Sequence, residues 1–228
     1  MNPTRIELPF GSLLEAAGAD FDPRFVEFFE SQEILSYQIR KPVAADQCPG
    51  LLIYISPKPG AQIPEAWGAV LDRHNLVWVA AEQSGNEVPV ARRVGMALLA
   101  PFAVIHGVEC DVDLERMILS GFSGGGRVAS MMMPVYPGRY SGALFICGVN
   151  ALSVASRESI DGLMNLPMLL LTGTGDFNLD DTQMAQATYE QAGLRKTKLS
   201  IVDGLAHGLP EAPELEAALD FVALGPGS

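Results

Sequence analysis

The chain has 228 residues, 48% of them hydrophobic, which suffices for one large α/β domain with its own core and no partner needed to complete it. Its 15 Lys and Arg against 27 Asp and Glu give a formal net charge of −12. That balance argues against nucleic-acid binding, since no surplus of cations is available to displace condensed counterions, and favours neutral or cationic substrates over polyanions.

The three cysteines, Cys48, Cys110 and Cys147, are odd in number and lack metal-ligand spacing, so a disulfide framework is disfavoured, with room for one bridge at most. The N-terminal stretch has no apolar run of signal-peptide length, and no later segment reaches about 18 consecutive apolar residues. The expectation is a soluble, cytoplasmic protein without membrane contact, or a secreted one if a leader has been removed.

Residues 1–34 read as a lead-in with one short helix to a single domain spanning 1–228. Ile34 to Arg40 is a plausible strand, and Pro42 to Gly50 carries turn chemistry before LLIYIS at 51–56, a continuous apolar run suited to a strand buried on both faces. Pro64 suits the first turn of a helix in which Trp67, Val70 and Leu71 recur at helical spacing.

A strand at 76–82 and an amphipathic helix from Val88 to Ile105 follow, with Pro101 expected to kink or end that helix. Strands are predicted at 116–121, 142–148, 168–173 and 199–204, and helices from Gly124 towards Met133, from Asp180 or Asp181 as cap to Gly193, and over Leu215, Ala218, Leu219 and Val222. Strands joined repeatedly by helices imply a parallel sheet with helices on both faces, and ligands in such sheets bind beyond the strand C-termini. Residues 149–167 leave little chain for a lid.

Directly after the strand at 116–121 stands Gly121-Phe122-Ser123-Gly124-Gly125, a G-x-S-x-G match. The pentapeptide alone is weak evidence in a chain with 23 glycines; its position between a strand and a helix carries it. A tight strand-to-helix turn strains the serine backbone and demands that flanking positions carry almost no side chain, which Gly121 and Gly125 satisfy.

A serine hydroxyl needs a base to act as a nucleophile at neutral pH. Of three histidines, His74 and His106 fall at predicted helix ends, where a surface role is the ordinary reading, while His207 follows the last predicted strand in a Gly-rich loop. Asp176, in TGTGD after the preceding strand, is placed to orient His207. Asp180, Asp181 and Asp203 are better explained by a helix cap, a helix first turn and a strand-end turn.

The order Ser123, Asp176, His207 on alternating strands and helices resembles the α/β-hydrolase superfamily over roughly residues 35–224. The GFSGGGRVASMM block, ICG on the next strand, and the GTGD and GLAHGLP segments are similar to bacterial esterases of the polyhydroxybutyrate-depolymerase and feruloyl-esterase-like group. The resemblance implies an α/β-hydrolase fold, a mostly parallel twisted sheet without a large lid domain, and a serine hydrolase that cleaves small or oligomeric carboxylic esters with no metal or organic cofactor. It also implies an oxyanion hole built from the N–H of Gly124 and one from Ser56-Pro57-Lys58. Because Pro57 has no N–H, Lys58 or Ser56 is the second donor. That loop departs from the commoner His-Gly pattern.

Met131, Met132 and Met133 are expected to pack the serine helix into the core. Arg92, Arg93 and Arg127 are expected in helix ion pairs, and Trp67 and Trp78 in packing. Two other functions use the same fold: a serine peptidase or acyltransferase with the same residues, and a non-catalytic binding module.

Overall fold

The computed structural model describes residues 2–43, 47–108, 110–153 and 157–223. Residues 44–46 of the turn expected across Pro42 to Gly50 lie outside that set, as do residues 154–156 of the short connection at 149–167. The chain divides into two compact units, Met1–Leu114 and Glu115–Ser228.

In the first unit β1 (Thr4–Pro9) runs into α1 (Phe10–Ala17), and two 3-10 turns lead to β2 (Ile34–Arg40). There follow β3 (Gly50–Ile55), α2 (Trp67–Arg73), β4 (Leu76–Ala81) and α3 (Val90–Gly107). The strands pair in the order β1-β2-β4-β3. Only β3 and β4 are parallel in this unit; β1 with β2 and β2 with β4 are antiparallel, as a mostly parallel sheet allows.

The lead-in therefore begins with a strand as well as a helix. Thr4 to Leu8 alternates polar and apolar residues, and pairing in register with β2, from Thr4 opposite Ile39 to Pro9 opposite Ile34, turns that weak pattern into an edge strand. Every residue of β3 and β4 is buried, as expected of continuous apolar runs. Trp67 and Trp78 are core residues, and the buried Tyr37 hydroxyl donates to the Met96 carbonyl at 3.0 Å.

Pro101 does not end its helix: α3 continues to Gly107. Proline removes one helical hydrogen bond, but Leu98, Leu99, Ala103 and Val104 around it are almost wholly buried, and that packing holds the helix together. At 18 residues α3 is long and apolar enough to cross a bilayer, yet 67% of it is buried, as in a core helix.

The second unit alternates without interruption: β5 (Met117–Phe122), α4 (Gly124–Met132), β6 (Gly142–Ile146), α5 (Arg157–Leu163), β7 (Met168–Gly175), α6 (Leu179–Gln191), β8 (Thr197–Ala206) and α7 (Ala212–Val222). The strands lie in the order β5-β6-β7-β8 and every pairing is parallel. The connection between β6 and β7 holds only the short α5, so no large lid exists among the described residues.

Two local details differ from expectation. The α6 N-cap is Asn178, with Asp180 and Asp181 in the first turn, where their charge complements the helix dipole. Met131 is 48% exposed while Met132 and Met133 are buried, because consecutive positions on a helix face different sides.

Candidate active site

The turn from β5 into α4 holds Ser123 at φ +54°, a backbone region that disfavours any side chain. Its N–H donates to the Ile146 carbonyl at 2.8 Å, and its carbonyl accepts from Arg127 N–H in the first turn of α4. The surrounding backbone is packed too closely for side chains. A Cβ on Gly121 would lie 2.5 Å from the Gly125 carbonyl oxygen and 2.7 Å from the Gly126 nitrogen. One on Gly148 would lie 2.7 Å from the Ser123 carbonyl carbon and 2.8 Å from its Cα.

All these neighbours are main-chain atoms, which cannot step aside. Gly148→Ala is therefore expected to destabilise the protein by about 3 kcal/mol and to displace Ser123. Gly60→Ala, where an added Cβ meets nothing within 4 Å, is expected to stay within about 0.5 kcal/mol of the parent. Urea unfolding of the two variants checks the contrast.

The pairing of β7 with β8 explains how the other two residues meet. Register runs evenly to Gly173 opposite Val202, then jumps to Gly175 opposite Ala206. Residues 203–205 bulge out, and His207, next after Ala206, comes abreast of Asp176, next after Gly175. Gly173 permits this, since any Cβ there would run into the Leu205 carbonyl.

His207 Nε2 lies 2.9 Å from Ser123 Oγ, and Nδ1 lies 2.8 Å from Asp176 Oδ1. The Asp176 carboxylate is fully buried and also accepts from the Thr172 hydroxyl at 2.7 Å and the Asn178 N–H at 3.0 Å. Burial by itself raises its pKa, but the hydrogen bonds from Asn178, Thr172, His207 and Cys147 outweigh it and hold the carboxyl below its ordinary value. An ionised carboxylate only accepts, so the proton between them belongs on Nδ1, which leaves Nε2 free to accept from the serine. A hydroxyl so placed can give up its proton as it attacks a carbonyl carbon.

Since Asp176 has a depressed pKa in the folded protein, its contribution to stability is full above the unfolded value near 3.8 and fades as pH falls through the folded one. The stability advantage of the parent over Asp176→Asn is expected to be larger at pH 5 than at pH 3, as measured by urea unfolding.

Several residues of the site carry no motif. Asn178 caps α6, and its side-chain amide donates to the Cys147 carbonyl at 2.8 Å while its backbone N–H holds Asp176. Arg127 reaches from α4 to Asn178 Oδ1 at 3.2 Å and Asp181 Oδ2 at 2.8 Å, so it ties two helices together and is not an ion pair within its own helix. Cys147, at φ +50°, donates its thiol to the Gly208 carbonyl; burial first, and then the neighbouring Asp176 carboxylate, push its pKa up to about 12. Two phenyl rings lie against the imidazole, Phe122 with its centroid at 4.9 Å and Phe177 at 4.0 Å. Thr172 sits within β7, four residues before Asp176.

Gly124 opens α4, so its N–H is one of the donors that a helix leaves unpaired in its first turn. In the first unit, Lys58 N–H is directed to Ser56 Oγ at 3.1 Å, and the buried Arg93 donates to the Ser56 carbonyl at 3.0 Å. Arg92 pairs with Glu33, again outside its own helix. His74 closes α2 and His106 lies in the last turn of α3. All three cysteines are free thiols, so the one bridge left open is not formed.

Strand-helix alternation with a strained serine between β5 and α4 defines a hydrolase of the α/β-hydrolase type. The phospholipase/carboxylesterase family model matches residues 102–224, more than half of the chain, and the chain belongs to that family. No curated protein matches the sequence. Among solved structures it is similar to a ferulic acid esterase, with a TM-score of 0.68 at 13% identity over 97% of this chain and 98% of that one. It is also similar to Est1E from Butyrivibrio proteoclasticus, with a TM-score of 0.64 at 13% identity over 97% of both chains. A putative dienelactone hydrolase from Klebsiella pneumoniae gives a TM-score of 0.61 at 18% identity over 86% of this chain and 95% of that one. At such identities the likeness is one of fold.

Proposed function

We propose that the protein hydrolyses carboxylic esters through an acyl-enzyme on Ser123. The observation that carries this reading is the unbroken chain of short contacts from Ser123 Oγ through His207 to the ionised Asp176. His207 takes the Ser123 proton as Oγ attacks the ester carbonyl carbon, and Asp176 holds the resulting imidazolium. The Gly124 N–H, left unpaired at the start of α4, stabilises the oxyanion. His207 then hands its proton to the departing alkoxide, and a water activated by the same imidazole releases the acid. No step calls on a metal or an organic cofactor.

The test is hydrolysis of p-nitrophenyl esters from acetate to octanoate, alongside labelling with a fluorophosphonate and peptide mapping of the adduct. Turnover with the adduct on Ser123 is the expected result. An adduct elsewhere, or none, overturns the assignment. Peptide amides in the same panel separate the peptidase reading, which requires cleavage of amides in place of esters.

A further inference from the structure

The geometry points to Phe177 as the wall of a leaving-group subsite that selects esters of aromatic alcohols, an inference that rests on the ester-hydrolase reading above. Phe177 is the most exposed large apolar residue described in the protein, at 77%. It directly follows Asp176, and its ring is tilted only 31° from the His207 imidazole, with the centroids 4.0 Å apart. An apolar ring left open to water forgoes a burial contribution that every core phenylalanine gains, so a ligand that covers it binds more tightly for doing so.

The position of the ring fixes which part of the substrate it meets. In the acylation step His207 Nε2 protonates the departing oxygen, so that oxygen must come within about 3 Å of Nε2. The alcohol attached to it therefore leaves beside the imidazole, where Phe177 stands, whereas the acyl group is bonded to Ser123 Oγ and stays on the serine. A planar alcohol reaching one methylene beyond the oxygen can lay its ring on Phe177 in the offset arrangement that aromatic pairs favour. A short aliphatic alcohol ends before it covers that surface.

The test compares butanoate esters of ethanol, cyclohexylmethanol and benzyl alcohol, whose acyl groups are identical and whose oxygens are of similar basicity. In Phe177→Ala the benzyl-to-ethyl ratio of kcat/KM is expected to fall about tenfold. The loss should appear mainly in KM for the benzyl ester, and Phe177→Tyr should restore the ratio. The cyclohexylmethyl ester is expected to fall between the other two.

A uniform loss on all three esters, carried by kcat, overturns the proposal and makes Phe177 a positioning residue for His207. The same contact is read without turnover by saturation-transfer NMR of benzyl alcohol with the Ser123→Ala protein and with the Ser123→Ala, Phe177→Ala double variant. Binding that needs Phe177, when the parent protein cleaves none of the three esters, leaves this subsite standing and overturns the ester-hydrolase reading. Equal binding by both proteins overturns the subsite.

Discussion

Ser123→Ala protein is expected to fold as the parent does and to lose ester hydrolysis by a factor on the order of 10⁴ or more in kcat. The change deletes one oxygen atom, the hydroxyl 2.9 Å from His207 Nε2 that would form the covalent bond to the acyl carbon. Folding is unaffected because alanine has the same positive-φ strain as serine at this turn, and the contacts that hold the turn are main-chain hydrogen bonds to Ile146 and Arg127. What remains is the rate at which bound water attacks an ester polarised by the oxyanion donors. Urea unfolding together with steady-state kinetics on p-nitrophenyl butanoate checks both halves. A variant that keeps a tenth of the parent rate would remove Ser123 from the mechanism.

Asp176→Asn is expected to lower kcat on the order of 10³ to 10⁴, with KM changed much less. Asparagine keeps the size of the side chain but offers an N–H as well as an oxygen. The amide can donate to Nδ1, which then carries no proton, and Nε2 becomes a donor to Ser123 and no longer an acceptor. The imidazolium formed in the reaction also loses its counter-charge. The amide nitrogen then takes the Oδ1 position, where the Asn178 N–H loses its acceptor, while the amide oxygen at the Oδ2 position still accepts from the Thr172 hydroxyl. The variant should therefore fold, and the loss should lie in the chemical step. Pre-steady-state acylation kinetics with a p-nitrophenyl ester measures that step directly. An unchanged burst rate would remove the carboxylate from it.

The strands were legible because most are uninterrupted apolar runs, and LLIYIS, LVWVAA and MLLLTG could scarcely be anything else. Ser123, Asp176 and His207 were legible because each follows a strand signal, in the chain order Ser, Asp, His that the α/β-hydrolase resemblance implies. Less visible was β1, where only Ile6 and Leu8 mark the apolar side and the partner strand supplies the rest of the signal. The short α5 has little apolar periodicity to announce it. Gly148 and Gly173 look like ordinary glycines in the sequence, since what demands them is the approach of a main chain distant along it. Phe177 reads as one more hydrophobic residue, and only its exposure and its ring contact give it a meaning.

Ser123, Asp176 and His207, the Thr172, Asn178 and Cys147 groups that hold them, and the Gly121, Gly148 and Gly173 positions that make room for them all belong to residues 115–228. Every hydrogen bond in that network begins and ends within this half of the chain. Chimeras joined at the boundary between Leu114 and Glu115 therefore inherit the proton relay intact. Libraries confined to residues 1–114 leave every side chain of that network unchanged.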